Sequence, residues 1–140
     1  YFVRIGRQLM KKINKISIVF SGTRSTDKML SVVKKIIKDS GSELVTSANI
    51  KKLNKVFKNK VSTSDLILVL GGDGTMIGSI RSLYDLNIPF LGINLGTVGF
   101  LTDLSINKIE RLKEILNGKY IKEDRPVFET FSDNSKKDIF

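Results

Sequence analysis

The chain has 140 residues with 24 Lys and Arg against 14 Asp and Glu, a formal net charge of +10, and it contains no His, Cys or Trp. This length suits one small domain, and 41% of apolar residues is enough for a hydrophobic core. The absence of Cys and His excludes disulfide frameworks, thiolate or imidazole metal sites, thiol catalysis and Ser-His-Asp hydrolysis. Any catalysis must use Asp, Glu, Lys, Arg, Ser, Thr or Tyr, with a metal or cofactor held by oxygen atoms.

The ends of the chain differ in character from its middle. Residues 1–9 precede Met10, which resembles a native start, so we expect residues 1–12 to be a disordered or non-native extension outside the fold. An α/β domain is predicted over residues 13–126. The polar stretch near the C-terminus predicts a tail, or the start of a truncated second domain, over residues 127–140. No apolar run approaches the roughly 18 residues of a membrane span, so we expect no membrane association.

The first half of the predicted domain alternates strand and helix. An apolar run rich in β-branched residues predicts a strand over 16–20, and apolar residues at helical spacing predict a helix capped by Thr26 or Asp27 and ended by Gly41. A short strand over 44–46 and a helix over 50–58 follow.

In the second half, the continuous apolar run 66–70 predicts a buried central strand. A helix over 76–84, a strand over 90–93, a helix over 107–116 ended by Gly118, and the beginning of a strand over 127–131 complete the pattern. Strands that alternate with helices predict an α/β fold, a Rossmann-like parallel sheet flanked by helices. Ligands of such sheets bind beyond the carboxyl ends of the strands, here at residues 71–75 and 94–103.

The first of these loops reads Gly71-Gly72-Asp73-Gly74-Thr75 and joins a buried strand to a helix. Its glycines leave the backbone N–H groups accessible, and these groups at a helix N-terminus suit phosphate oxygens. Asp73 would repel a phosphate unless it deprotonates a hydroxyl nucleophile or holds Mg²⁺. A tight turn with Asp73 as a local cap is the structural alternative. The spacing is neither that of a Walker A loop nor that of the dinucleotide fingerprint.

The second loop, Gly-Ile-Asn-Leu-Gly-Thr-Val-Gly-Phe-Leu-Thr-Asp over residues 92–103, also follows a strand. Asn94 offers an amide donor and acceptor, and Phe100 is an apolar side chain that anchors the loop or flanks a planar ring. Thr102 and Asp103 suit ribose hydroxyls or a cap of the next turn. A connecting loop pinned by Phe100 is the alternative. Two such loops after consecutive strands predict a shared cleft.

Together, the GGDGT loop and the GINLGxxGFLTD loop resemble the motifs of the NAD kinases, with that family's distance between them. The similarity covers residues 13–130 and is strongest over 66–125. The GGDG element is shared with diacylglycerol and sphingoid-base kinases and, more loosely, with phosphofructokinases. The second motif distinguishes NAD kinases from those families.

The resemblance implies ATP-dependent phosphorylation of the adenosine 2′-hydroxyl of NAD to give NADP, with a divalent metal such as Mg²⁺. It assigns Asp73 as the general base that takes the hydroxyl proton. The residues that would bind nucleotide are Gly72, Asp73, Gly74, Thr75, Asn94, Phe100, Thr102 and Arg24. Of these, Arg24 would contact a phosphate.

Members of the family carry a second, largely β domain after this one, and nothing in the chain matches it. The resemblance therefore implies an N-terminal NAD kinase domain that is inactive alone, from a cytoplasmic protein that forms homo-oligomers. Two other functions stay open, namely a lipid or sphingoid-base kinase domain and a non-catalytic nucleotide-binding module. A nucleic-acid binder is disfavoured: residues 1–60 hold 15 basic and 3 acidic side chains, but no aromatic residues interleave with the lysines.

Overall fold

The structure is a computed structural model that describes residues 1–97, 99–131 and 137–139. The strands are β1 (Phe2–Leu9), β2 (Lys15–Phe20), β3 (Glu43–Asn49), β4 (Leu66–Gly71), β5 (Phe90–Asn94), β6 (Leu104–Ser105), β7 (Lys119–Glu123), β8 (Glu129–Phe131) and β9 (Lys137–Ile139). The helices are α1 (Arg24–Asp39), α2 (Lys55–Val61), α3 (Asp73–Leu83) and α4 (Arg111–Leu116). Short 3-10 turns lie at Ile50–Lys52, Tyr84–Leu86 and Ile106–Lys108.

Most of the strands form one sheet in the order β3-β2-β4-β5-β1-β7, with β6 paired to β5. All neighbouring pairs in it are parallel except β1 and β7, which are antiparallel. Strands β8 and β9 form a separate antiparallel pair. The carboxyl ends of β2, β4 and β5 therefore lie at one edge of the sheet, where the loops that follow them meet.

The central strand β4 is buried along its whole length, as its uninterrupted apolar run predicts. Leu66, Leu68 and Leu70 belong to a core cluster that also contains residues of α1 and α4. Ile67 and Val69 belong to a second cluster with residues of α2 and α3. Successive side chains of a strand point to opposite faces, so helices cover the sheet on both sides. The predicted α/β fold is confirmed.

The predicted end of helix α1 near Gly41 is confirmed, but its N-cap is Thr23 and not Thr26 or Asp27, which lie in the first turn. The Thr23 hydroxyl accepts a hydrogen bond from the Thr26 amide at 3.3 Å and so satisfies one unpaired donor of the first turn. Val33 and Ile37 are buried, one turn apart on the face against the sheet. Gly41 follows the helix with φ +69, a left-handed conformation that glycine adopts without strain.

Several boundaries differ from the predicted ones. Helix α3 begins at Asp73, three residues before the predicted start. The prediction placed the start too late because the first turn contains Gly74, and glycine has a low helix propensity. The segment predicted as a helix over 50–58 is a 3-10 turn followed by α2. Asn54 is the N-cap of α2, and its side chain accepts a hydrogen bond from the Phe57 amide at 2.9 Å. Among the described residues, no helix is long and apolar enough to cross a membrane.

The prediction that residues 1–12 lie outside the fold requires correction. Phe2–Leu9 forms strand β1, which is inserted between β5 and β7 in the sheet. The side chains of Phe2 and Val3 are 4% and 0% exposed, and the rings of Phe2 and Phe90 lie 6.2 Å apart. The position before Met10 suggested a dispensable segment, but partners more than a hundred residues away stabilise the strand. The boundaries proposed at residues 126 and 127 stay predictions.

We expect Phe2→Ala to lower the free energy of unfolding by about 3 kcal/mol, since truncation of a buried Phe leaves a cavity. Leu9→Ala is the matched control on the same strand, because Leu9 is 77% exposed, and it should change stability by less than about 0.5 kcal/mol. Urea denaturation followed by circular dichroism measures both. Equal, small effects of the two variants would show that β1 contributes nothing to the fold.

Candidate functional site

The two glycine-containing loops meet at the carboxyl ends of β4 and β5. These strands are adjacent and parallel, and Gly71 is the register partner of Asn94. One residue later, the Leu95 amide donates to the Gly71 carbonyl at 3.4 Å. Two strands that end side by side bring their following loops together, which the order of elements alone predicted.

Beyond these strand ends lies an open cleft of about 470 Å³, called here the Asp73 cleft. Among the described residues that line it, Asp73 is the one charged group. The lining residues are mostly glycines and small polar residues, together with Leu95; the set is Ser21, Thr23, Ser25, Gly71, Gly72, Asp73, Asn94, Leu95, Gly96, Thr97 and Gly99. The hydroxyl, amide and backbone groups in this lining can hydrogen-bond a hydroxyl-rich or phosphorylated ligand.

The carboxylate of Asp73 is held by the second loop. Its Oδ2 accepts a hydrogen bond from the Phe100 amide at 2.9 Å, and its Oδ1 accepts one from the Leu101 amide at 3.1 Å. Gly99 makes this approach possible, because a Cβ atom there would lie 2.3 Å from Asp73 Oδ1. Each carboxylate oxygen keeps a further lone pair for a ligand.

Asn94 shapes the beginning of the second loop. Its side chain is buried, with 7% exposed, and its Oδ1 accepts a hydrogen bond from the Gly96 amide at 3.0 Å. Its Nδ2 donates to the Thr97 carbonyl. Both amide atoms are therefore used to fix the turn, so in this structure Asn94 contributes to the cleft as a wall and as a support of the loop.

The N-terminus of α3 presents free backbone donors. Gly72 is the N-cap residue, and no described side chain accepts a hydrogen bond at this cap. Thr75 lies inside the helix and packs against Gly71. A Cβ atom added at Gly71 would lie 2.5 Å from the Thr75 Oγ1 atom. The uncapped N–H groups and the helix dipole make this end of α3 favourable for a negatively charged ligand group.

Hydroxyl groups of the loop after β2 form the opposite wall. Ser21 Oγ and Thr23 Oγ1 lie 2.8 and 2.6 Å from Thr26 Oγ1, within hydrogen-bond distance. Sequence reasoning did not select these serines and threonines. The signal was available, since Ser21 follows the carboxyl end of β2 just as Gly72 follows that of β4.

A second opening, the Lys51 cleft, adjoins the first and measures about 420 Å³. The two share Ser21 and Thr23, and the described residues that line the second are Ser21, Gly22, Thr23, Asn49, Ile50, Lys51, Gly74 and Thr75. Lys51 is its one charged residue in that set. The Asp73 cleft thus has an acidic residue in its lining and the Lys51 cleft a basic one.

Most of the predicted site residues are divided between the two clefts. Gly72, Asp73 and Asn94 line the Asp73 cleft, and Gly74 and Thr75 line the Lys51 cleft. The Phe100 side chain is 96% exposed, although its amide holds Asp73.

The structure places Arg24 and Thr102 in the lining of neither cleft. Arg24 is exposed at the first position of α1. Thr102 is partly buried beside Gly92, and its Oγ1 has no hydrogen-bond partner among the described residues.

The described residues contain no group of three or more acidic side chains that could hold a metal ion. Asp73 is the one carboxylate of the Asp73 cleft, and both its oxygens accept amide hydrogen bonds. This donor set fits Mg²⁺ that arrives with nucleotide phosphates, since Mg²⁺ often binds through phosphates and one carboxylate. It does not fit a resident metal ion.

The comparison that decides the family is the match of residues 2–120 to the ATP-NAD kinase N-terminal domain. The chain belongs to this family. It is 34% identical over 97 residues to an NAD kinase from Hahella chejuensis, covering 69% of the chain and 32% of that protein. It is 54% identical over 65 residues to an NAD kinase from Nitrosospira multiformis, covering 46% of the chain and 22% of the relative.

The fold of the ATP-NAD kinase N-terminal domain is also found in a solved relative. The structure of an NAD kinase from Archaeoglobus fulgidus in complex with ATP matches 72% of this chain and 36% of its own, with a TM-score of 0.51 and 25% sequence identity. The chain thus spans about a third or less of the length of the curated relatives it matches. The family model matches the chain from residue 2 onward, so strand β1 is part of the matched domain.

Proposed function

We propose that the chain is the part of an NAD kinase that carries the general base, in an enzyme that phosphorylates the adenosine 2′-hydroxyl of NAD with ATP to give NADP. The observation that carries this proposal is the position of Asp73. It is the one carboxylate among the described residues that line the polar cleft, and it lies at an uncapped helix N-terminus. Membership of the ATP-NAD kinase N-terminal domain family supports the assignment.

In this proposal Asp73 accepts the proton of the ribose hydroxyl as that oxygen attacks the terminal phosphorus of ATP. The Phe100 and Leu101 amides orient the carboxylate and leave lone pairs directed away from the loop. A general base must come within about 2.6–3.2 Å of the proton donor, and the open cleft allows a sugar to approach Asp73. Phosphoryl transfer then depends on position and charge neutralisation.

Phosphate groups would be bound on the other side of the same site. The free N–H groups at the start of α3 and the ammonium group of Lys51 both favour negative charge. Mg²⁺ would enter with ATP as part of the substrate, which agrees with a cleft that holds one carboxylate. We further propose that the longer protein is cytoplasmic and forms homo-oligomers.

The chain by itself should have little or no kinase activity, since it spans about a third or less of its relatives and the other part would supply further nucleotide contacts. A coupled assay of NADP formation with the purified chain, next to one of the full-length relatives as a positive control, measures this. Turnover comparable with that of the full-length enzyme would contradict the expectation. Replacing NAD by a sphingoid base or diacylglycerol in the same assay tests the lipid-kinase alternative.

A further inference from the structure

The part of the second loop that follows β5 is described for residues 95–97 and 99–103, and it is fixed at its two ends and at one place between them. The Asn94 side chain fixes its beginning, and the bonds from Phe100 and Leu101 to Asp73 fix its middle. At its end, the Asp103 amide donates to the Gly92 carbonyl at 3.2 Å before β6 pairs with β5. The side chain of Asp103 adds a further connection there.

Asp103 lies in an ionic cluster with Arg4, Glu123 and Arg125. Its Oδ1 is 3.2 Å from Arg4 Nε and 3.6 Å from a terminal guanidinium nitrogen of Arg125. Both arginines also contact Glu123, at 3.1 and 3.4 Å. The Asp103 side chain is 10% exposed, so these interactions are screened less than ordinary surface ion pairs.

The charged residues around Asp103 lie on the sheet or contact one of its buried side chains. Arg4 is on β1, Glu123 ends β7, and the guanidinium group of Arg125 lies 4.3 Å from the centre of the Phe2 ring. Along the chain, Thr102 alone separates Asp103 from Leu101, whose amide binds Asp73. The ion pairs of Asp103 therefore restrain the chain two residues from a donor to Asp73.

The Asp103 carboxylate is largely buried, and its surroundings compensate its charge only in part. Desolvation raises the pKa of its carboxyl group, and the nearby charges of Arg125 and Arg4 oppose this effect only in part. Its Oδ2 is buried without a hydrogen-bond partner among the described residues. Buried charges with incomplete compensation commonly cost folding free energy, and a role in positioning the loop would account for a carboxylate at this place.

We propose that Asp103 is a positioning residue for Asp73. Its ion pairs with Arg4 and Arg125 fix the end of the loop, so that the Phe100 and Leu101 amides stay directed at the Asp73 carboxylate. The inference concerns the geometry of the loop and holds whichever ligand the cleft binds. Its failure would therefore leave the proposed function untouched, and the reverse is also true.

The test is Asp103→Asn in the 140-residue chain, a change that removes the charge and keeps the shape. Glu123 still pairs with both arginines in this variant, so neither guanidinium loses its last partner. Hydrogen exchange of the Phe100 and Leu101 amides is measured by NMR, with Asp73→Asn as the reference for weakened bonds. Asp85→Asn is the matched control, because Asp85 forms a surface ion pair with Lys58 at 2.7 Å.

We expect Asp103→Asn to accelerate exchange of these two amides at least about fivefold, towards the rates in the Asp73→Asn reference, while core amides such as that of Val69 keep their rates. Asp85→Asn should change neither loop amide. Unchanged exchange at Phe100 and Leu101, or an equal acceleration throughout the core, would overturn the proposal.

Discussion

Replacement of Asp73 by Asn is expected to lower kcat for NADP formation by about 10²–10⁴-fold, the usual contribution of a general base. The amide has almost the shape of the carboxylate but cannot accept the hydroxyl proton. The assay is made in a two-domain protein in which this chain is followed by the remaining part of one of its NAD kinase relatives. KM for NAD should change much less than kcat, because the loss falls on the transition state.

Asp85→Asn serves as the control for this experiment, since it removes a carboxylate from the exposed ion pair with Lys58. Its kcat should stay within about twofold of the unmodified enzyme, as a surface pair contributes little. Calorimetry measures the affinity of the Asp73→Asn variant for NAD, and this separates a loss of NAD binding from a loss of the phosphoryl-transfer step. A kcat within about fivefold of normal in Asp73→Asn would refute the role of Asp73 as the base.

Gly118→Ala is expected to lower the free energy of unfolding by about 3 kcal/mol, or Tm by roughly 10 °C, although it removes no side-chain contact. Gly118 has φ +102, a conformation that residues with a Cβ atom rarely adopt. An added Cβ would also lie 2.4 Å from the Met10 carbonyl oxygen. The Gly118 carbonyl accepts the Met10 amide at 2.7 Å, so the strain would spread to the connection after β1.

The matched control is Gly96→Ala, because no heavy atom of the described residues lies within 4 Å of the Cβ position there. This variant should change the free energy of unfolding by less than about 0.5 kcal/mol. Thermal unfolding of both variants under one set of conditions provides the comparison. A Gly118→Ala protein as stable as the Gly96→Ala protein would show that the backbone at residue 118 relaxes without cost.

Local sequence patterns were sufficient for the centre of the sheet. The uninterrupted apolar run of β4 and the glycine loop after it indicated a buried strand that ends at a cleft, and the structure has both features. That the cleft binds a ligand stays a prediction. The same logic applied to β5 and residues 95–103. These predictions succeeded because each feature has a local sequence pattern. A buried parallel strand is an uninterrupted apolar run, and a close approach of backbone requires glycines.

Features that depend on distant partners could not be predicted in this way. Strand β1 is stabilised by pairing of Phe2 with Glu123 and Phe90, and neither neighbour is visible from residues 1–9. The ionic cluster of Asp103 likewise joins charges from both ends of the chain. Arg24 was selected for its charge beside a strand end, but the structure places serine and threonine hydroxyls in the cleft at that position.

The place of β1 in the sheet has a consequence for how the protein folds during its synthesis. Strand β1 leaves the ribosome before its partners β5 and β7, and β7 ends at Glu123, so this part of the sheet cannot close until residues 2–123 have all been made. Contacts between such distant residues slow folding, because a long loop must be ordered before they form. Until then Phe2 and Val3 stay exposed as an unpaired apolar segment, which chaperones would be expected to protect from aggregation.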